Sequence, residues 1–293
     1  MKSIFITGST GFVGKNVLKY FNSNFVFNKY NRESIVDIKE DIVLHFAGKA
    51  HDLKNVSNFE EYYIVNTELS KKIFDCFLES EATVFITLSS VKAVADEIDC
   101  ELTEEYVPNP ISHYGKSKLM AEKYILSKNI PIGKRVYILR PCMIHGPGNK
   151  GNFNLLYNFI KRGYPWPLGS FENNRSFCSV ENLCFVIENL INQTAIESGI
   201  YNIADDESVS SNDLISLISK SLKKNTRVLK IPKKLIFFIA KIGDKLKLPF
   251  NSRILTKLTE SYVVSNRKLI NSLKIKLPVS SKDGIISTIK SFN

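Results

Sequence analysis

The amino-acid sequence predicts an α/β fold, with a doubly wound parallel sheet and a smaller C-terminal α/β lobe. In the first half of the chain, short apolar segments alternate with segments of helical periodicity. This alternation is typical of a parallel sheet whose two faces are both covered by helices. After Arg140 the pattern changes, because glycine and proline separate short segments between residues 146 and 169. Such punctuation is typical of a loop-rich second lobe.

Each element of the first half is predicted from its own segment. Apolar runs predict strands at residues 3–7, 25–30, 42–46, 83–89 and 136–140. Helical periodicity predicts helices at residues 11–21, 60–80 and 112–127, the second of them either continuous or interrupted. The link between the second and third strands, residues 31–41, is short.

The first predicted strand leads directly into a glycine-rich turn. Gly8, Gly11 and Gly14 follow the spacing G-x-x-G-x-x-G between this strand and the first helix. Glycines at such a turn let the backbone approach a pyrophosphate, and the helix N-terminus attracts negative charge. The turn therefore predicts a dinucleotide site, although similar turns also form for packing reasons alone. The residues predicted to contact the dinucleotide here are Gly8, Thr10, Gly11, Phe12, Val13 and Gly14.

A tyrosine and a lysine lie four residues apart in the third predicted helix. Residues at this spacing occupy one helix face, so Tyr114 and Lys118 are predicted neighbours. A neighbouring ammonium group favours the phenolate and lowers the pKa of a tyrosine from about 10. Such a tyrosine can exchange a proton with an alcohol or a ketone. The pattern is common by chance, but here it follows the glycine-rich turn and Ser89 and Ser90 at the end of an apolar strand.

Together these motifs resemble the extended short-chain dehydrogenase/reductase family, the NAD-dependent nucleotide-sugar epimerases, dehydratases and reductases. The resemblance covers nearly the whole chain. It implies a Rossmann-like fold and hydride transfer between a sugar carbon and a nicotinamide, with NAD or NADP as the cofactor. It also implies that residues 1–141 form the dinucleotide-binding domain. Residues 142–293 would mainly form the nucleotide-sugar substrate lobe, with some segments returning to the first domain.

The resemblance also implies a role for individual residues. Tyr114 would act as acid and base at the sugar oxygen, and Lys118 would lower the pKa of Tyr114 and hold the nicotinamide ribose. Ser90 would hydrogen-bond the same sugar oxygen, with Ser89 as the alternative hydroxyl. Further cofactor contacts are expected at Ala47, Gly48, Asn66, Tyr114, Lys118 and Pro141. Substrate contacts are expected at Ser90, Asn152, Arg175 and Arg253, the two arginines as a clamp on the diphosphate.

The two positions after the serine pair reduce the number of candidate reactions. The family's dehydratases carry an Asp-Glu pair there, whereas this chain has Val91 and Lys92, so dehydration is excluded. A 4-ketoreductase and a 4-epimerase remain. Arg32 is suited to a 2′-phosphate of NADP, and Met143 replaces an asparagine found in many UDP-hexose epimerases.

These two observations favour a 4-ketoreductase of a UDP-linked sugar in bacterial polysaccharide precursor synthesis. The alternative is a UDP-glucose or UDP-N-acetylglucosamine 4-epimerase that retains NAD. A lesser alternative is an NAD(P)-binding regulator that has lost catalysis. The intact set of Ser90, Tyr114 and Lys118 argues against the regulator, which has no need of a proton-transfer site.

The positive charge of the chain is concentrated near its C-terminus. The net charge is +11, and residues 221–293 contain 17 Lys or Arg but only 3 Asp or Glu. A basic lobe of this kind can receive a diphosphate, contact an anionic membrane surface, or simply be solvated. Residues 231–248 predict an amphipathic helix, whose apolar stripe we expect to be ordinary core rather than a membrane contact.

The amino-acid composition limits which other partners and which cellular compartment we expect for this chain. The charge lacks interleaved aromatic residues, so nucleic-acid binding is not expected. Five cysteines without a CxxC pair and four histidines without metal spacing predict reduced thiols, a cytoplasmic location and no metal site. No apolar run is long enough for a transmembrane span, and no signal peptide is expected. The family resemblance implies a homodimer formed by two long helices.

Overall fold

The computed structural model describes residues 1–21, 24–31, 36–49, 59–149 and 152–292. The predicted cofactor residue Arg32 lies outside these residues, and so does the side chain of Asn152, although its backbone begins a helix.

The centre of the described structure is a six-stranded parallel sheet, which confirms the predicted α/β fold. Its strand order is β2-β1-β3-β4-β5-β8, and a second sheet pairs β6 with β7. The strands are β1 (Lys2–Thr7), β2 (Phe25–Lys29), β3 (Ile42–His45), β4 (Val84–Leu88), β5 (Arg135–Pro141), β6 (Met143–His145), β7 (Phe177–Ser179) and β8 (Gly199–Ile203). All five predicted strands are present, whereas β6, β7 and β8 were not predicted. Between Lys29 and Ile42 the described residues add no strand, so β2 forms an edge of the sheet.

Helices connect these strands and cover both faces of the main sheet. In the described residues they are α1 (Phe12–Tyr20), α2 (Glu60–Tyr62), α3 (Leu69–Glu79), α4 (His113–Leu126), α5 (Asn152–Lys161), α6 (Val180–Asn192), α7 (Ser211–Ser221), α8 (Lys233–Leu246), α9 (Ser252–Thr259), α10 (Arg267–Leu273) and α11 (Ser281–Lys290). A π-helical turn, Tyr63–Glu68, joins α2 to α3. This turn is the interruption considered for the helix predicted at residues 60–80.

The strands of the main sheet are buried on both faces. On one face, Ile4 and Ile6 of β1 pack in the same cluster as Val17 of α1, together with residues of α6 and α10. On the opposite face, Phe5 packs in a cluster with Phe74 of α3 and residues of α4. Successive residues of β1 therefore serve opposite cores, as the two-residue repeat of a strand requires.

The second lobe has a separate core. Its buried residues come mainly from α5, α7, α8, α9 and α11 and include Phe153, Leu214, Leu255 and Ile285. The strand β8 and helices α6 and α10 instead contribute to the core of the main sheet. The chain after Pro141 thus crosses between the two cores and leaves a cleft at the carboxyl ends of the main strands.

One expectation about the C-terminal region is wrong. The apolar stripe predicted as core at residues 231–248 is mostly exposed, because only Ile236, Ala240 and Gly243 of α8 are buried against the lobe. These three residues follow an i, i+4, i+7 spacing, which is a narrow seam on one side of the helix. Among the described helices, none is both long enough and apolar enough to cross a bilayer.

Candidate active site

A cleft of about 620 Å³ separates the main sheet from the second lobe. Tyr114 and Lys92 line the wall on the side of the main domain. Arg175, Arg253 and Lys257 line the wall on the side of the lobe. The cleft therefore brings the predicted proton-transfer residue next to a group of cations from distant parts of the sequence.

The turn between β1 and α1 forms a cradle of backbone. Gly8 has φ +70°, and a Cβ there would lie 2.5 Å from the carbonyl carbon of Phe46. A Cβ at Gly14 would lie 2.3 Å from the carbonyl oxygen of Gly8. Gly11 begins α1 without a side-chain cap, so the first N–H groups of the helix remain available to an anion. This geometry fits the pyrophosphate of a dinucleotide.

The other residues predicted to contact the cofactor lie around this cradle. Thr10, Phe12 and Val13 lie at the start of α1, Ala47 and Gly48 follow β3, and Pro141 ends β5. All of these positions are at the carboxyl ends of parallel strands, where open α/β sheets bind their ligands. The structure thus brings together the described members of the predicted cofactor set.

A buried hydrogen-bonded chain fixes the two cofactor turns relative to each other. The backbone N–H of Ala47 donates to Thr7 Oγ1, and Thr7 Oγ1 lies 2.8 Å from His45 Nδ1. On the other side of the ring, Nε2 lies 2.8 Å from Ser70 Oγ, which donates to the carbonyl of Asn66. These partners require a neutral imidazole with its proton on Nε2. Burial favours the same form and lowers the pKa of His45 to about 3.

Asn66 joins the turn after β3 to α4. Its Oδ1 accepts from the backbone N–H of Lys49 at 2.8 Å, and its Nδ2 donates to Ser117 Oγ at 3.0 Å. Asn66 lies in the π-helical turn, which often marks a functional position in a helix. A Cβ on the adjacent Gly48 would lie 3.0 Å from Lys118 Nζ, so the turn approaches Lys118 closely. Asn66 therefore holds this turn in place through both ends of its amide.

Ser90 and Ser89 have different surroundings. Ser90 hydrogen-bonds to the Tyr114 side chain, and its Oγ also accepts from the backbone N–H of Lys92. Ser89 Oγ is buried without a hydrogen-bond partner in this structure. It lines a small cavity with Lys118 and Glu122. The geometry therefore favours Ser90 over Ser89 as the hydroxyl that accompanies Tyr114.

The expected lowering of the Tyr114 pKa is wrong for this structure. Burial raises the pKa of Tyr114, and the hydrogen bond from Ser90 opposes that shift only in part. Lys118 Nζ donates to the carbonyl of Leu88 at 2.8 Å. Burial also lowers the pKa of Lys118 to about 8, against the opposing charge of Glu122. Both side chains consequently favour their neutral forms more than they would in water.

A buried ion pair lies behind Lys118. Arg140 donates to Glu122 through Nε at 3.0 Å and through Nη2 at 2.6 Å. Both side chains are almost completely inaccessible to solvent. This bidentate pair joins α4 to β5 and places the carboxylate of Glu122 one helical turn beyond Lys118.

The two arginines predicted to clamp a diphosphate both line the cleft, and Arg175 already has protein partners. Arg175 donates to the carbonyl of Lys257 at 2.6 Å and to Glu260 at 3.2 Å. Arg253 is exposed and faces the same cleft from α9. The sequence interpretation missed Lys257, although its spacing of four residues from Arg253 places both cations on one face of α9.

Lys92 occupies the site where a dehydratase would need a carboxylate. Its Nζ donates to the carbonyl of Asp96 and lies 4.2 Å from the centre of the Tyr262 ring. Asp96 also lines the cleft, but its Oδ2 accepts from the backbone N–H groups of Ile111 and Ser112. That carboxylate therefore holds the start of α4 in place.

The cradle and the set of Ser90, Tyr114 and Lys118 define a dinucleotide-binding oxidoreductase of the short-chain type. Residues 4–204 match the model of the NAD dependent epimerase/dehydratase family, and the chain belongs to that family. The match confirms the family resemblance, the Rossmann-like fold and the nicotinamide cofactor predicted from the sequence.

Individual relatives cover nearly the whole chain. It is 29% identical to the UDP-glucose 4-epimerase of Vibrio cholerae, over 99% of this chain and 95% of that protein. It is 25% identical to the N-acetyl-alpha-D-glucosaminyl-diphospho-ditrans,octacis-undecaprenol 4-epimerase of Escherichia coli O157:H7, over 78% of this chain and 75% of that protein. The structure of RMD from Pseudomonas aeruginosa, complexed with NADPH, aligns with a TM-score of 0.76 at 18% identity, over 100% of this chain and 99% of that one.

Proposed function

We propose that this protein is an NAD(P)-dependent oxidoreductase that acts at C4 of a diphosphate-linked sugar. The observation that carries the proposal is the shared cleft, in which Tyr114 faces Arg175 and Arg253. A sugar that reaches Tyr114 can extend its diphosphate toward these cations. The family resemblance suggests UDP as the carrier of that sugar.

The residues of the cleft divide the chemistry between them. A nicotinamide cofactor, when bound, supplies or accepts the hydride at the sugar carbon. Tyr114 exchanges the proton of the sugar oxygen, and Ser90 holds that oxygen by a hydrogen bond. Lys118 would contribute its charge beside the ribose of a bound cofactor, and Asn66 holds the turn at Gly48 and Lys49 that would face it. The proposed cofactor residues Gly8, Gly11 and Gly14 hold the pyrophosphate by backbone contacts.

The first candidate reaction is 4-epimerisation. Two relatives carry the name of a 4-epimerase, and one of them aligns with 99% of this chain. An epimerase removes a hydride from C4 and returns it to the other face of the same carbon. The cleft of about 620 Å³ gives a keto-sugar space to turn over between these two steps.

The second candidate is 4-ketoreduction, which the sequence favoured through Arg32 and Met143. Met143 does line the cleft, whereas Arg32 lies outside the described residues. Burial raises the pKa of Tyr114 and so favours the protonated phenol further, which is the form that donates a proton to a ketone.

Substitution of Tyr114 tests the proposed oxidoreductase. We expect Tyr114→Phe to lower kcat at least about 100-fold, because the proton donor is lost while the ring remains. The matched control is Tyr124→Phe on the same helix, where the lost hydroxyl contacts Asp75 outside the cleft. If Tyr114→Phe had the same turnover as the wild type, the proposed role of Tyr114 would be wrong, and the alternative of an NAD(P)-binding regulator would remain.

The nucleotide released on denaturation separates the two candidate reactions. A 4-epimerase returns its own hydride and tends to retain one cofactor, so stoichiometric NAD in the extract supports it. A reductase exchanges its cofactor in every turnover, so released NADP, or no nucleotide, supports 4-ketoreduction.

The proposal extends to the state of the protein in the cell. The family resemblance implies a homodimer formed by two long helices, and we propose α3 and α4 for that contact. Met120 and Leu126 of α4 are exposed apolar residues suited to such a contact. All five cysteines are free thiols, so we propose the cytoplasm as the compartment. Sedimentation of the purified protein tests the dimer.

A further inference from the structure

Helix α8 exposes a continuous apolar stripe to solvent. Its members follow an i, i+3, i+4, i+7, i+11 pattern, and their relative exposures run from 40% to 62%. They are Leu235, Phe238, Ile239, Ile242 and Leu246. Leu248, just beyond the helix, is also exposed. A contiguous patch of this kind on an otherwise ordinary surface indicates an interaction site.

Lysines lie along one edge of this stripe. At 100° per residue, Lys234, Lys241 and Lys245 project beside Phe238, on the side of the helix away from the buried seam. The single acidic residue of α8, Asp244, is engaged by Ser252 at the start of α9. The exposed side of α8 is therefore both apolar and positively charged, which is the composition of helices that lie in a membrane interface.

The position of α8 relative to the cleft adds a second argument. Helix α8 packs against α9, and α9 carries Arg253 and Lys257 into the cleft. Ile254 of the same helix lines an adjoining cavity of about 330 Å³, whose wall is mainly apolar. A surface that contacts α8 would accordingly lie close to the part of the cleft that receives a diphosphate.

We propose that the exposed face of α8 docks this protein on an anionic phospholipid bilayer. The apolar stripe enters the boundary between headgroups and acyl chains, while the three lysines contact the headgroup phosphates. Charge selects this partner over a second copy of the chain, because two α8 faces in contact would bring six lysines together. A bilayer rich in phosphatidylglycerol satisfies both the charge and the apolar area.

Co-sedimentation with vesicles tests the proposal on the full chain. We expect binding to vesicles of equal phosphatidylglycerol and phosphatidylcholine, and much weaker binding to phosphatidylcholine alone. The triple variant Lys234→Gln, Lys241→Gln, Lys245→Gln should bind roughly fivefold less tightly for each lysine removed, with most of the effect at low salt. The double variant Phe238→Ser, Ile242→Ser should lose at least about tenfold in affinity, because its apolar contact is removed.

A matched triple variant controls for net charge. Lys72→Gln, Lys123→Gln, Lys220→Gln removes the same charge from exposed positions on other helices and should bind vesicles like the wild type. Thermal melts establish that each variant is folded. Turnover of a soluble nucleotide sugar without vesicles should be unchanged in all of them, so that a failure of docking is distinguished from a failure of the proposed activity.

Three results would overturn the docking proposal. One is wild-type protein that ignores anionic vesicles, and another is equal loss of binding in the matched control. The third is a double variant Phe238→Ser, Ile242→Ser that has half the molar mass of the wild type by light scattering but binds vesicles equally well. That result would make the stripe an interface between two copies of the chain.

Discussion

At the scale of single residues, Lys118 opposes folding while it serves the proposed chemistry. The side chain is buried, its ammonium group donates to Leu88, and burial lowers its pKa from 10.5 to about 8. An uncharged side chain of similar length would not incur this desolvation cost. The residue that the reaction needs is thus one that the fold would be more stable without.

Replacement of Lys118 tests this conflict. Between pH 8 and 10.5 the unfolded chain binds more protons than the folded chain does. Burial of the Lys118 ammonium group therefore lowers the free energy of unfolding by its full amount below pH 8, and this destabilisation disappears as the pH rises to 10.5. We expect Lys118→Met to be more stable than the wild type by about 2 kcal/mol at pH 7, after the lost hydrogen bond is included. Urea unfolding at pH 7 to 10 measures the difference, with exposed Lys123→Met as the control. We also expect Lys118→Met to have no turnover. If Lys118→Met is less stable than the wild type at pH 7, the prediction is contradicted.

At the scale of elements, polar chains hold strands and helices in register around the site. The chain through Thr7, His45 and Ser70 connects β1, β3 and the start of α3. The pair of Glu122 and Arg140 connects α4 to β5. Each connection is made by buried polar side chains, so each makes the stability of the fold sensitive to the loss of one partner.

The neutral imidazole of His45 predicts a loss of stability in acid. Its pKa falls from 6.5 to about 3 on folding, so the unfolded chain binds the extra proton between these values. The contribution of neutral His45 to the free energy of unfolding is present above pH 6.5 and is lost as the pH falls toward 3. We expect His45→Gln to show a shallower decline in unfolding free energy from pH 6.5 to 4.5. Exposed His113→Gln should keep the wild-type slope, and identical slopes for all three proteins would contradict the assignment.

The buried ion pair predicts that substitutions of Arg140 and Glu122 have strongly non-additive effects on the free energy of unfolding. Arg140→Met leaves the Glu122 carboxylate buried and unpaired, which should cost about 3–5 kcal/mol. The double variant Arg140→Met, Glu122→Met removes both charges and should recover most of that loss. Urea unfolding of both single variants and the double variant measures the coupling. Simple additivity of the two single losses would show that the pair does not act as a unit.

At the scale of the whole molecule, the cleft exists only because two cores face each other. The main sheet supplies Tyr114 and the cradle, and the lobe supplies Arg175, Arg253 and Lys257. Nearly half of the chain separates Tyr114 and Lys118 from the cations of α9. Binding and proton transfer are consequently separable by substitution.

Arg253 provides the test of this separation. We expect Arg253→Ala to raise KM for a nucleotide sugar about tenfold, since a charged hydrogen bond to the diphosphate is lost. The value of kcat should change little, because Arg253 does not contact the reacting oxygen. Arg227→Ala removes an exposed arginine elsewhere in the lobe and serves as the control. A fall in kcat at unchanged KM would place Arg253 in the chemical step.

Local patterns predicted more of the main domain than of the lobe. The five apolar strands and the glycine turn are read from neighbouring residues, and all of them are present. The strand β8 was missed because its burial arises only when it pairs with β5. The exposed stripe of α8 was misassigned because a helical period reveals an apolar face but not what covers it.

The sequence by itself determined the sheet, the dinucleotide cradle and the spacing of Tyr114 and Lys118, because each depends on contacts within a few residues. Tertiary structure decided which serine meets Tyr114, which cations share its cleft and which face of α8 remains exposed. It also reversed the expected shift of the Tyr114 pKa, since burial outweighs the hydrogen bond from Ser90. Solvent exposure and electrostatic environment are sums over distant segments, and no local pattern contains them.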